Sequence, residues 1–213
     1  MDFLPKDLVT YTEKHTTPET ALLASINRET YSKVLQPRML SGHLQGRVLA
    51  MFSQMIQPQN ILEIGTYTGY SAICLAEGLR ENGKLYTIDV KEELEARVRT
   101  YFAEAGLTDR IDYRIGNAIH IIPQLAVVFD LVFVDADKNN NSNYYDLIFD
   151  KVSPGGFIII DNVLWSGKVT MSYEEADKDT RTILDFNQRI HNDPRVENVL
   201  LPIRDGLMVL RKK

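Results

Sequence analysis

The sequence predicts an α/β domain on a mostly parallel sheet with helices on both faces, and three observations carry that prediction. From residue 60 onward, short apolar runs alternate with helix-length segments. Four of those runs end on or beside an acidic residue. The chain closes with two strand-like runs around an Asp-Gly pair. Strand–helix alternation builds a parallel sheet covered on both sides, whereas an Asp-Gly turn joins antiparallel strands.

Taken in order, residues 1–57 read as helical. Asp7 to Lys14, Glu19 to Leu35 and His43 to Gln57 carry apolar residues three and four apart. Pro18-Glu19 reads as a helix start and Gln36-Pro37 as a stop. Five apolar runs follow: Ile61 to Ile64, Leu85 to Asp89, Ile111 to Ile115, Leu131 to Asp135 and Phe157 to Asp161. Helical stretches lie between them near 70–80, 92–105, 117–125 and 140–152, and Gly155-Gly156 marks the turn into the fifth run. Val196 to Pro202 and Leu207 to Arg211 flank Arg204-Asp205-Gly206 as a terminal hairpin, which makes seven strands. No repeat or Pro/Gly/Ser-rich linker divides the chain. It reads as one domain, 1–213, with a helical N-terminal segment (1–57) and a sheet core (58–213).

Composition narrows the function. A net charge of −5, from 24 basic and 29 acidic residues without long blocks, argues against a nucleic-acid surface. No apolar run approaches the length of a membrane span. The start, Met1-Asp2-Phe3-Leu4-Pro5, lacks the basic stretch and long apolar run of a signal peptide, so the expected location is cytoplasmic. Cys74 stands alone, which excludes an intramolecular disulfide.

Ligands of open parallel sheets sit beyond the carboxyl ends of the strands. Glu63, Asp89, Asp135 and Asp161 all fall there. Gly65 and Gly69, in Glu63-Ile64-Gly65-Thr66-Tyr67-Thr68-Gly69-Tyr70-Ser71, allow a tight turn and close approach of the backbone to a ligand. The segment is not a dinucleotide fingerprint, since Thr66, Tyr67 and Thr68 follow Gly65. Asp89, at the end of the second strand, is placed to accept hydrogen bonds from ribose hydroxyls. The glycine spacing favours a methionine-based nucleoside over a nicotinamide one, and Glu63 suits a cationic ligand. The bland alternative is an ordinary strand-to-helix turn.

A second cluster is Asp135-Ala136-Asp137-Lys138 with Asp161-Asn162, from two strand ends. Two carboxylates and an amide oxygen form a hard, oxygen-only donor set, suited to Mg²⁺ with room for substrate oxygens. No His or Cys pair has zinc spacing. Lys138, three residues after Asp135, can reach the same cleft; an amine beside a divalent cation gives up its proton more readily. Asp and Asn are also common in plain strand-end turns. Both pairs together, beside the Gly65 loop, favour a site.

These residues resemble the caffeoyl-CoA/catechol-type cation-dependent O-methyltransferases, and most closely their small bacterial members. The likeness runs through Met39-Leu40-Ser41-Gly42 with Gln45-Gly46, the Leu62-to-Ser71 stretch, Val134-Asp135-Ala136-Asp137-Lys138, and Gly155-Gly156 through Asp161-Asn162-Val163-Leu164-Trp165-Ser166-Gly167. It continues into Asp193-Pro194-Arg195-Val196, Leu201-Pro202 and Asp205-Gly206. The resemblance implies the Rossmann-like S-adenosylmethionine-dependent methyltransferase fold. It implies a cofactor site of Glu63, Gly65, Thr66 and Ser71, with Asp89 on the ribose, Ala118 by the adenine, and Ser41 and Asp137 at the border. Asp135, Asp161 and Asn162 would bind the metal, Asp135 would also face the substrate, and Trp165 and Ser166 would line the substrate mouth. A homodimer is implied as well. Three positions depart from the family pattern: Gln45 and Ser166 replace a glutamate and an asparagine of the plant enzymes, and Arg204 stands where many relatives have glycine.

The expected reaction is direct displacement of a sulfonium methyl by a hydroxyl of a metal-chelated vicinal dihydroxy small molecule, with Lys138 and Asp135 as catalytic residues. The N-terminal helices are the expected lid. Two rival readings stand: a nicotinamide-dependent oxidoreductase, and a non-catalytic ligand-binding protein on the same fold. Tyr67, Tyr70, Tyr144 and Tyr145 either border the cleft or pack. The four histidines read as ordinary surface or helix positions, and Cys74 as a small packed residue.

Overall fold

A computed structural model describes residues 5–213; Met1 to Leu4, on which the leader expectation rests, lie outside the described residues. The chain begins with α1 (Lys6–Lys14), α2 (Ala21–Lys33) and α3 (Gly42–Ile56). It then alternates β1 (Asn60–Ile64), α4 (Tyr70–Ala76), β2 (Lys84–Asp89), α5 (Glu95–Glu104), β3 (Ile111–Ile115), α6 (Ala118–Ile121), β4 (Phe129–Val134), α7 (Asn141–Phe149) and β5 (Val152–Asp161). Last come α8 (Lys178–His191), β6 (Val196–Leu201) and β7 (Leu207–Lys212).

Among the described residues the strands form one sheet in the order β3-β2-β1-β4-β5-β7-β6. β1 to β5 pair in parallel, and β7 enters antiparallel between β5 and β6. The seven-strand expectation with its closing hairpin therefore holds. Strand alternation explains the two cores, because successive side chains point to opposite faces. Ile61, Leu85, Leu131 and Phe133 face α2 to α5, where Leu23, Leu49, Ile73, Val98 and Phe102 meet them. Leu62, Ile64, Val132 and Val134 face the other way, against Ile122, Tyr145, Ile148, Phe186 and Ile190. Burying one such side chain contributes roughly 1.5–3 kcal/mol.

Three elements differ from expectation. α2 starts at Ala21 rather than Pro18-Glu19, because the Thr20 hydroxyl accepts from the Leu23 amide and caps it. Glu19 instead accepts from the Tyr70 hydroxyl at 2.6 Å. Gly155-Gly156 lies inside β5: Phe129 pairs with Val152 but Leu131 with Phe157, so Ser153 to Gly156 form a bulge, and Gly155 takes φ 78. α8 is the third, in a stretch where the sequence reading assigns no helix. Its signals are present, with Asp177 accepting from the Thr180 amide as N-cap and Thr180, Ile183, Phe186 and Ile190 buried at helical spacing. Its charge-rich opposite face masks them.

No helix among the described residues is long and apolar enough to cross a membrane.

Candidate active site

Beyond the carboxyl ends of β1, β2, β4 and β5 lies a cleft of about 990 Å³. Sheet geometry creates it, because β1 sits where the strand order reverses and its neighbours' connections depart to opposite sides. Of the residues singled out in the sequence, Gly65, Asp89, Ala118, Asp135, Asp137, Lys138, Asp161, Asn162 and Trp165 line it. Ser41, Glu63, Thr66, Ser71 and Ser166 do not line it.

Gly65 is at φ 102, and a Cβ there would stand 2.0 Å from the Asp135 carbonyl oxygen. Only glycine lets the loop after β1 cross the end of β4 so closely. The Asp135 amide donates to the Ile64 carbonyl at 2.8 Å, so the two strand ends are locked together.

Behind this loop lies a buried polar network. Glu63, fully buried, accepts from the Ser71 hydroxyl at 2.6 Å and from the Thr87 hydroxyl at 2.5 Å, and Thr87 meets Thr66 at 2.6 Å. Burial pushes the Glu63 carboxyl up to about 8 against the pull of those two hydroxyls, and the nearby Asp135 and Asp89 charges add to the rise. Glu63, Thr66 and Ser71 thus stand behind the cleft wall. On the wall itself, Asp89 accepts from the Tyr67 amide at 2.6 Å and the Lys91 amide at 2.9 Å. Both bonds fix the carboxylate at the edge of the cleft, which Ala118 also lines.

At the other end, Lys138 Nζ lies 3.0 Å from Asp135 Oδ1. Asp161 is 4% exposed; it accepts from Gln45 Nε2 at 2.7 Å and from the Asn162 amide at 2.6 Å. Burial, then the Asp135 charge, raises its carboxyl to about 6. Asn162 (φ 62), Trp165 (φ 48) and Ser166 (φ 56) are all left-handed non-glycine residues in the loop after β5. Each such residue costs of order 1–3 kcal/mol and persists only where its surroundings enforce it. The Ser166 amide donates to Asp205 Oδ1 at 2.5 Å, which ties this loop to the hairpin turn.

Several cleft residues escaped the sequence reading or were left open by it. Tyr67 and Tyr144 line the cleft, and Tyr144 donates to Asp137 Oδ1 at 2.5 Å. Tyr70 and Tyr145 pack elsewhere, bonded to Glu19 and Asp193. Gln36, Pro37, Arg38 and Met39 form a wall, as do Asn117, Arg204 and Asp205. Departure from the family pattern flagged Arg204; nothing in spacing flags Arg38 or Asn117. Cys74 is buried and free, as a packed residue would be.

An O-methyltransferase family model matches residues 13–213. Caffeoyl-CoA O-methyltransferase 2 of Eucalyptus globulus is 36% identical over 199 residues, covering 87% of this chain and 79% of the plant enzyme. Two solved structures share the fold. The O-methyltransferase from Bacillus cereus in complex with SAH has TM-score 0.87 and 30% identity, covering 96% of each chain. The SAH-bound methyltransferase PaMTH1 of Podospora anserina has TM-score 0.88 and 27% identity, covering 100% of this chain and 99% of its own. These likenesses set aside the oxidoreductase and non-catalytic readings. The chain belongs to the caffeoyl-CoA-type O-methyltransferase family and is an S-adenosylmethionine-dependent O-methyltransferase.

Proposed function

We propose that the methyl acceptor is a small aromatic molecule with two adjacent hydroxyls, held by a divalent cation at Asp135, Asp161 and Asn162. One observation carries the reading. Asp161 is a buried carboxylate whose ionisation Asp135 opposes, and Lys138 is the cation that offsets them. A site that concentrates negative charge in this way is relieved by a hard cation.

The donor set fits that ion. Among the described residues no group of three or more His, Cys, Asp or Glu side chains is placed to hold a metal; the ligands proposed are two carboxylates with the Asn162 amide oxygen. Such a set leaves positions for acceptor oxygens and suits Mg²⁺. When bound, the cation would act as a Lewis acid that eases loss of the acceptor proton, and S-adenosylmethionine would supply an electrophilic methyl.

The chain's own residues do the rest. Gly65, Asp89 and Ala118 would hold the nucleoside, with Asp89 accepting from the ribose hydroxyls. Glu63, Thr66 and Ser71 would support the loop from behind, and Asp137 and Ser41 would border the site. Lys138, as the neutral amine once the bound cation takes over its role of offsetting the carboxylates, would take the hydroxyl proton, and the ammonium so formed would pair with Asp135. Asp135 and Trp165 would align the ring, with Ser166 at the mouth. Orientation of the oxygen against the methyl would supply much of the acceleration. α1 to α3 would form the lid, and a homodimer remains part of this reading.

The test is methyl transfer from labelled S-adenosylmethionine to a catechol panel, with Mg²⁺ and with a chelator. Transfer that chelation abolishes is the expected result. Undiminished transfer in metal-stripped Asp135→Ala protein would overturn it.

A further inference from the structure

The segment Gln36 to Ser41, which carries the Gln36–Met39 wall, is held at both ends by side chains from outside it, and these ties end on backbone carbonyls. At one end the Tyr67 hydroxyl faces the carbonyls of Leu35 at 3.1 Å and Gln36 at 3.3 Å. At the other, the Arg204 guanidinium donates to the carbonyl of Leu40 at 2.6 Å, to that of Ser41, and to that of Arg38 at 3.5 Å. Three carbonyls converging on one guanidinium is a positioning arrangement, because the planar fork fixes direction as well as distance.

Arg204 sits in the turn between β6 and β7, and that turn is itself anchored across the cleft. The Leu164 amide donates to the Asp205 carbonyl at 2.8 Å, and the Ser166 amide donates to the Asp205 side chain. The turn therefore joins the Met39 wall to the Trp165 loop. Arg204 occupies a left-handed position, φ 50, that a glycine would adopt without strain. An arginine is kept there against its backbone preference, and its guanidinium contacts all lie on the opposite wall.

We infer that Arg204 is a positioning residue for acceptor specificity: it latches the Gln36–Ser41 wall to the hairpin turn and thereby sets the width of the mouth between Met39 and Trp165. The inference rests on the acceptor site proposed above. Small, flat acceptors are favoured by the latched wall, and bulkier ones by its release.

Arg204→Gly separates this role from folding, since the substitution suits the local backbone. Arg204→Lys retains the charge but lacks the fork. Amide hydrogen exchange across residues 34–42 of the full chain reads the latch without any need for activity. It should quicken about tenfold in Arg204→Gly, the equivalent of one charge-assisted hydrogen bond, with β1 and β4 unchanged. For catechol, KM should rise about tenfold while kcat and S-adenosylmethionine affinity stay within about twofold. The kcat/KM ratio of a bulky dihydroxycinnamoyl ester to catechol should rise, and Arg204→Lys should recover part of both effects. Unchanged exchange across 34–42 would overturn the latch. Faster exchange with an unchanged ester-to-catechol ratio would overturn its role in specificity. Faster exchange with no transfer to either acceptor, even by the unsubstituted protein, would support the latch and instead sink the catechol reading.

Discussion

Gln45 donates its Nε2 to Asp161 Oδ2 at 2.7 Å, a bond between residues 116 apart in sequence that joins α3 to the end of β5. Both side chains are buried, and Gln45 Oε1 has no hydrogen-bond partner. The pairing sets the orientation of one proposed metal ligand from the helix that follows the Gln36–Ser41 wall. It also places a departure from the plant sequences against the proposed cation site.

Replacing Gln45 should therefore act on the cation. Gln45→Leu is expected to weaken Mg²⁺ binding about 10- to 100-fold, the usual effect of losing a partner that orients a ligand. Fold stability should change less, because removal of the orphaned Oε1 offsets part of the lost bond. Titration calorimetry with Mg²⁺ checks this, and an affinity within twofold of the original would refute it.

Lys138 is the group proposed to take the acceptor proton. Lys138→Met should lower kcat by about 10²–10⁴, the range for general-base assistance, with S-adenosylmethionine affinity unchanged. Steady-state kinetics at saturating Mg²⁺ give the answer. An undiminished kcat would remove the lysine from the chemistry.

Gly65→Ala should damage the cofactor loop more than any other single methyl. Its Cβ would stand 2.0 Å from the Asp135 carbonyl oxygen, on a backbone at φ 102. We expect a loss of about 2–4 kcal/mol in unfolding free energy, together with lost S-adenosylmethionine binding. Chemical denaturation and calorimetry measure the two; near-original values for both would contradict the packing described.

Glu63 gives the apoprotein a specific pH dependence. Its carboxyl stands near 8 in the folded chain, mainly through burial, against an ordinary value of 4.5. Between those limits the folded state binds more protons than the unfolded one. This residue's contribution to stability is thus full below about pH 4.5 and is lost as pH rises through 8, at up to about 1.4 kcal/mol per pH unit. Glu63→Gln should flatten that decline in urea titrations from pH 5 to 9. A variant with the same slope as the parent would show that Glu63 does not titrate there.

Much of this protein was decided locally. The five parallel strands, the hairpin and the acidic strand ends are legible because alternation, turn residues and apolar runs depend on near neighbours. Asp135, Asp137, Lys138, Asp161 and Asn162 could be grouped for the same reason, since parallel neighbours deliver their ends to one rim. α8 was obscured because its buried stripe is narrow within a charge-rich stretch, and the β5 bulge because register depends on the partner strand. What only the tertiary structure decided lies in contacts between distant segments. Glu63 and Ser71 stand behind the cleft wall because strand alternation turns Glu63 toward α4, and Tyr67 and Tyr144 enter the cleft while Tyr70 and Tyr145 turn away. The bonds from Gln45 to Asp161 and from Arg204 to the carbonyls of Arg38, Leu40 and Ser41 leave no periodic trace. Each is a single side chain joining segments far apart in the chain, and its direction is fixed only once both cores have closed.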